Sequence, residues 1–242
     1  MAETSRAAAA VARRHYRDAR CGPVGAGHGV LLDGRPARTP LGRPLAVAVE
    51  PLAHDMAAEW QAQAPAIDME TMPLTRIANT AIDKVGEARA GVIAEFIKYA
   101  GADLVCYRAE APSGLVERER HHWDPIVDWA REFTGAEPVL ASGIVAVDQP
   151  TRLLDALSGH AEAYDDLELA ALAMVSAITG SALIALALSC RAVGPEAAWA
   201  AAHVDEDWQI EHWGEDGLVA RRRERMRRDF AAAVRVLELK QA

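Results

Sequence analysis

The sequence predicts an α+β fold in which a small N-terminal β-rich domain, residues 1–70, precedes a larger all-helical C-terminal domain, residues 71–242. Three observations carry this expectation. Turn signals and alternating apolar residues concentrate between His28 and Glu50. From Met72 onward, apolar residues recur at three- and four-residue spacing, the period of a helix that buries one face. A chain of 242 residues, 51% hydrophobic and 25% charged, is long enough to enclose the core that such a fold needs.

The elements follow in order. The first twenty residues are rich in Ala and Arg and read as an amphipathic helix, without the apolar centre of a secretory signal. In HGVLLDGRPARTPLGRPLAVAVE, Asp33 and Gly34 mark a hairpin turn and Leu41 to Pro44 a second turn, with Leu45 to Glu50 alternating as a strand. Pro51 suits the first turn of a helix, because its missing N–H would have no partner there. Leu52, Met56 and Trp60 form that helix's packing face, and Ala64 and Pro65 end it. PLTRIANTAIDKV reads as a helix with Leu74, Ile77, Ala81 and Ile82 inward, separated by Gly86 from EARAGVIAEFIKYA. Asp103 is placed to cap the next turn. Pro112 to Gly114 form a turn, LVERERHH follows, and Asp124 and Pro125 are expected to cap and open a fresh helix. Val139 to Val147 reads as a strand returning to the sheet, and Gln149 to Tyr164 as a helix. After Gly214 one long helix runs to the end, with Met226, Phe230, Ala233 and Leu237 inward.

Composition narrows the function. A net charge of −9 argues against a general nucleic-acid surface. Three scattered cysteines, Cys21, Cys106 and Cys190, form no CxxC pair, so neither a disulfide framework nor a cysteine zinc site is indicated. Residues 169–190 carry no charge and meet the length of a membrane span. Their alanine content and the polar Ser176, Thr179 and Ser181 predict instead two core helices with a turn near Gly180. No GxSxG, GxxxxGK[ST] or GxGxxG occurs. The arginines of RRRERMRR, residues 221–228, read as a solvated face or as partners of acidic side chains near Asp205 to Asp207.

The stretch WAAAHVDEDWQIEHWG, residues 199–214, holds three of the six tryptophans. As one helix at about 100° per residue it places Trp199, His203, Glu206, Ile210 and Trp213 within roughly 40° of a line. A carboxylate in an apolar stripe needs a partner. For Glu206 that partner is a proton, a metal shared with His203, an arginine of this chain, or a group on another protein. The metal reading makes the protein an enzyme or metal binder using His203 and Glu206. Against it stand the reversed order of the Glu-x-x-His pattern and the absence of HExxH.

Eight stretches in register, RRHYRDA, VLLDGRPARTP, AEWQAQ, MPLTRIANTAID, ADLVCYRAE, WDPIVDWA, ITGSALIALAL and DEDWQIEHWGED, resemble the assembly chaperone of the F-type ATP synthase catalytic head that binds unassembled α subunit. The resemblance runs from about residue 13 to about residue 223. It implies a non-enzyme without cofactor or metal that holds free α subunit until β subunits join, probing its partner through the acidic and aromatic helix. The implied partner-binding residues centre on Glu206, with Asp205, Trp208, His203, Trp199, Ile210 and Trp213 around it. The short stretch before RRHYRDA leaves no room for a mitochondrial presequence, so a bacterial cytoplasmic member, monomeric when free, is expected. The glycine-rich CGPVGAGHG departs from the pattern and puts the first hairpin in question.

Overall fold

The computed structural model describes residues 13–143 and 146–240, which divide into two compact units, one ending at Arg76 and the other beginning at Ile77. Residues 1–12 of the expected first helix lie outside the described residues. Those from 13 to 18 are not helical, and Arg13 bridges to Ala66.

In the first unit, β1 (Ala19–Val24) and β2 (Gly27–Leu32) form an antiparallel hairpin through the glycine-rich stretch, and β2 also pairs with β3 (Arg35–Pro36) and β4 (Ala46–Val47). The glycines are what permit this sheet. A Cβ on Gly27 would sit 2.6 Å from the Val47 carbonyl oxygen, and one on Gly29 would sit 2.5 Å from that of Leu45. The β2–β3 turn is where Asp33 and Gly34 predict it, both with positive φ. The strand expected over 45–50 keeps two residues, since α1 (Glu50–Gln61) begins at once with Pro51 in its first turn. Leu52 and Met56 are fully buried against the sheet. Glu59 accepts from the backbone N–H of Leu74 (2.7 Å) and Thr75 (2.8 Å), donors that the start of α2 (Pro73–Thr80) leaves unpaired. Burial raises the Glu59 carboxyl against those hydrogen bonds.

The second unit is helical. α2 passes through a π-helical turn, Ala81–Val85, into α3 (Gly86–Gly101); Gly86 itself is helical, and the break expected there falls two residues on, at Ala88 with φ −116° and ψ 20°. The extra residue in that turn rotates the register: Asp83 and Val85 face inward, and Ile82, expected inside, is half-buried. A 3₁₀ turn, Leu104–Cys106, and β5 (Tyr107–Arg108) lead to α4 (Ser113–Thr134). Pro125 lies inside α4 rather than opening a helix. Its position is exposed, as is His121 four residues back, whose carbonyl loses its helical donor there. Buried Trp123, Ile126, Val127 and Ala130 hold the helix across it, and Asp124 pairs with Arg108 at 2.8 Å instead of capping. β6 (Ala141–Ser142) pairs in parallel with β5 and not with the N-terminal sheet; Ile144 and Val145 of the expected strand lie outside the described residues.

α5 (Thr151–Ala163) precedes α6 (Asp166–Thr179) and α7 (Ala182–Ser189), which divide the charge-free run as expected. Gly180 takes φ +66° between them, and the Ser181 hydroxyl caps α7 at Ile184 N, 2.9 Å. Every residue of α7 is buried, packed by α3, α4, α6, α8 (Pro195–Ala202) and α10 (Gly217–Lys240). Asp103 does more than cap its own turn. Fully buried, it accepts from Val105 N, Leu183 N (2.9 Å) and the Ser181 hydroxyl, tying the 3₁₀ turn to the start of α7.

Candidate functional site

The tryptophan stretch is two helices, not one. His203 adopts φ −120° and ψ 20°, ending α8 at Ala202, and α9 (Val204–Trp213) starts in a new direction. The single stripe expected of Trp199, His203, Glu206, Ile210 and Trp213 therefore does not form. Trp199 and His203 are core residues. Their rings stack at 3.9 Å, and Trp199 meets Phe230 of α10 edge-on at 5.4 Å. His203 Nδ1–H donates to the Trp199 carbonyl at 2.9 Å, the tautomer that an acceptor-only carbonyl demands. Burial lowers the His203 pKa and so favours the neutral ring.

Glu206 is half-exposed on the side of α9 that faces α10. Its nearest cation is Arg223, at 3.6 Å, which also pairs with Asp207, while Arg227 pairs with Glu196 and lies 4.7 Å over the Trp199 ring. Two arginines of the basic run thus meet acids of this chain. His203 Nε2 stands 3.9 Å from Glu206, but its other nitrogen is engaged with the backbone, and no third donor joins them in a metal-binding group among the described residues. Ile210 is half-buried.

The remaining expected residues, Asp205, Trp208 and Trp213, line a groove of about 430 Å³ together with Gln209, and across it lie Leu115 and Glu119 of α4 and Tyr107 and Arg108 of β5. Gly114 makes the α4–α9 approach possible, since a Cβ there would meet the Trp208 ring at 2.8 Å. Arg118 forks onto Glu211 at 2.9 and 2.7 Å and lies 5.4 Å over the same ring, whose other neighbour is His212, stacked at 4.2 Å. On the groove floor Glu119 accepts from Ala109 N at 2.8 Å and shares a hydrogen bond with Asp205. Burial raises both carboxyls, and the neighbouring Asp205 charge raises Glu119 further. Trp213, at the rim, is 76% exposed, and Leu218 and Val219 just beyond it are exposed as well.

The sequence reading did not single out Glu119, Arg108 or Leu115, because nothing local joins them to α9. The acidic run Asp205 to Asp207 was a usable signal for the break, since acids favour the first turn of a helix. A second cluster was also missed: Cys21, His28 and Glu50 bring their ligand atoms within 4.8 Å of one another in the first unit.

Residues 13–131 match the model of the family described as ATP12 chaperone protein. A solved structure from Agrobacterium tumefaciens, described as a "putative chaperone", superposes with a TM-score of 0.87 at 39% identity, covering 93% of this chain and 85% of that one. The crystal structure of Atp12 from Paracoccus denitrificans gives a TM-score of 0.84 at 35% identity, covering 94% of this chain and 98% of that one. An Asp-to-Lys mutant of the Paracoccus protein matches equally well. The class of protein defined by this fold is thus a chaperone of α+β architecture. The chain belongs to the ATP12 chaperone family.

Proposed function

We propose that this chaperone serves the assembly of the F-type ATP synthase catalytic head by binding unassembled α subunit and keeping it from aggregating until β subunits join. It acts as a binding protein, catalysing no reaction and using no cofactor, in the bacterial cytoplasm and as a monomer when free. The observation that carries the reading is the groove between α4 and α9 with Trp213 exposed at its rim. An indole in water is a standing liability that a partner relieves, and tryptophan is among the residues enriched at binding hot spots. The acids alongside, Asp205 and half-exposed Glu206, supply charge that favours a basic, apolar segment of the partner.

This reading gives the residues of the tryptophan stretch different duties. Trp208, Trp213, Asp205 and Glu206 meet the partner, Ile210 supports them, and Trp199 and His203 hold the platform from below. The test is suppression of light scattering by purified α subunit on dilution from denaturant. Trp213→Ala should melt as wild type and lose protection, with binding weakened by about 2 kcal/mol or more. Full protection by Trp213→Ala and by Trp208→Ala alike would remove the groove from the function.

A further inference from the structure

Sequence spacing gives no hint of a metal site, yet the first unit assembles the donors of one from three elements. Pro23 of β1 faces His28 of β2 in the antiparallel register. Cys21, two residues along β1, therefore lies diagonally across from His28 on the same face of the sheet. His28 is also paired with Val47 of β4, and three residues later the chain reaches Glu50 at the start of α1. One thiol sulfur, one imidazole nitrogen and one carboxylate oxygen are thereby gathered within 4.8 Å of one another. His54, one helical turn after Glu50, approaches the same carboxylate but lies outside that group. His28 Nδ1 and His54 Nε2 each stand 3.8 Å from Glu50 Oε1.

That spacing is informative. It is too long for a hydrogen bond. Metal–ligand bonds of about 2.0 to 2.3 Å in a tetrahedron set neighbouring ligand atoms about 3.3 to 3.8 Å apart. We propose that Cys21, His28 and Glu50 bind one zinc-class divalent cation, with water as its fourth ligand, that clips the β1–β2 hairpin to α1. A thiolate and an imidazole select a borderline-soft metal and not magnesium or calcium, which take oxygen shells. The charges balance: thiolate and carboxylate together offset the two positive charges, the histidine binds neutral, and the thiol proton leaves to solvent as the metal enters. The Glu50 side chain is 57% exposed, which leaves the ion a path in. The ion ties three elements of the first unit together, and the site is independent of the α-subunit reading.

The experiment uses the full chain, purified without a polyhistidine tag, stripped with chelator and titrated with zinc and, separately, with cobalt(II). One zinc per chain is expected, and a cobalt complex with intense visible bands of tetrahedral geometry and a near-ultraviolet thiolate-to-cobalt band. Cys21→Ser should abolish the thiolate band and weaken zinc roughly tenfold or more, and Glu50→Gln, at the exposed start of α1, should weaken zinc similarly without disturbing the sheet. Cys190→Ser, beside the unrelated His160 at 3.6 Å, is the control that should change nothing. Absence of stoichiometric zinc, a cobalt complex lacking the thiolate band, or binding that survives Cys21→Ser and Glu50→Gln would each overturn the site.

Discussion

Asp103 is where a single side chain decides most in the helical unit. Its carboxylate takes hydrogen bonds from two backbone N–H groups and the Ser181 hydroxyl, and burial nevertheless raises its pKa to about 6 from an ordinary 3.8. Asp103→Ala would orphan those donors and is expected to cost about 2–4 kcal/mol, read as a lowered midpoint in urea. The pH dependence has a definite sign. Between pH 3.8 and about 6 the folded state holds more protons at this site than the unfolded one, so the contribution is fully present below pH 3.8 and falls as pH rises through 6. The loss is on the order of 3 kcal/mol. Asp103→Asn has no such titration, so the stability difference between wild type and variant should shrink from pH 4 to pH 7. A difference constant over that range would contradict the burial assignment. The sequence discloses Asp103 as a cap because Asp before an apolar turn is a local signal. It does not disclose Ser181 and Leu183 as its partners, since only tertiary packing brings them there. The glycines of β2 are similar: their number casts doubt on a strand, whereas the Leu45 and Val47 carbonyls passing over them require it. Gly29→Ala should destabilise the first unit by about 1–3 kcal/mol, because backbone on a paired strand cannot give way as a flexible side chain can.

The element that most changes the sequence reading is the pair α8 and α9. No glycine or proline marks residue 203, and every residue from Trp199 to Trp213 tolerates a helix. What breaks it is the burial of His203 against the Trp199 ring, a tertiary preference to which the acidic first turn of α9 is the local pointer. The consequence reaches the site, for it turns Trp199 inward and leaves Trp213 in water. Two tryptophans should then respond in opposite ways. Trp123, 1% exposed and donating its Nε1–H to the Ala201 carbonyl at 2.7 Å, is expected to cost about 3–5 kcal/mol on replacement by Ala. Trp213→Ala should change stability by less than about 0.5 kcal/mol. The same reasoning recasts Glu206. A carboxylate buried in an apolar stripe would make Glu206→Lys unfold the protein, but the observed pairing with Arg223 is half-exposed. Glu206→Lys should lower stability by about 1 kcal/mol at most. Protection of α subunit is expected to suffer far more. A variant that melts normally and protects fully would leave Glu206 as a surface pair and nothing else. The turn chemistry of the hairpin, Pro51, the Gly180 break and the long C-terminal helix were all legible locally. The π-helical turn and the uninterrupted passage of α4 through Pro125 were not, because packing on the opposite face overrides the local signal in both.

Across the chain, the sharpest ambiguity of the sequence is the uncharged run from Leu169 to Cys190, long enough to cross a bilayer if it were one helix. The fold divides it. α6 ends at Gly180 in a left-handed conformation, α7 restarts from the Ser181 cap, and no helix among the described residues is long and apolar enough to cross a membrane. The run's apolar character has another use: α7 is enclosed by five helices, and an element covered on all sides needs no polar face. Alanine spacing serves the same end by letting neighbours approach closely, which a lipid-facing helix would not require. Detergent phase separation tests this directly. The protein is expected in the aqueous phase, and a carbonate wash should extract it completely from disrupted cells. Gly180→Ala sharpens the test, since positive φ is strained for alanine and the variant should lose about 1 kcal/mol of stability while keeping the same partitioning. Recovery of wild type in the detergent phase would mean that α6 and α7 can join into one span. The enclosure of α7 by the remaining helices would then have to open to release it, at the expense of the entire helical core.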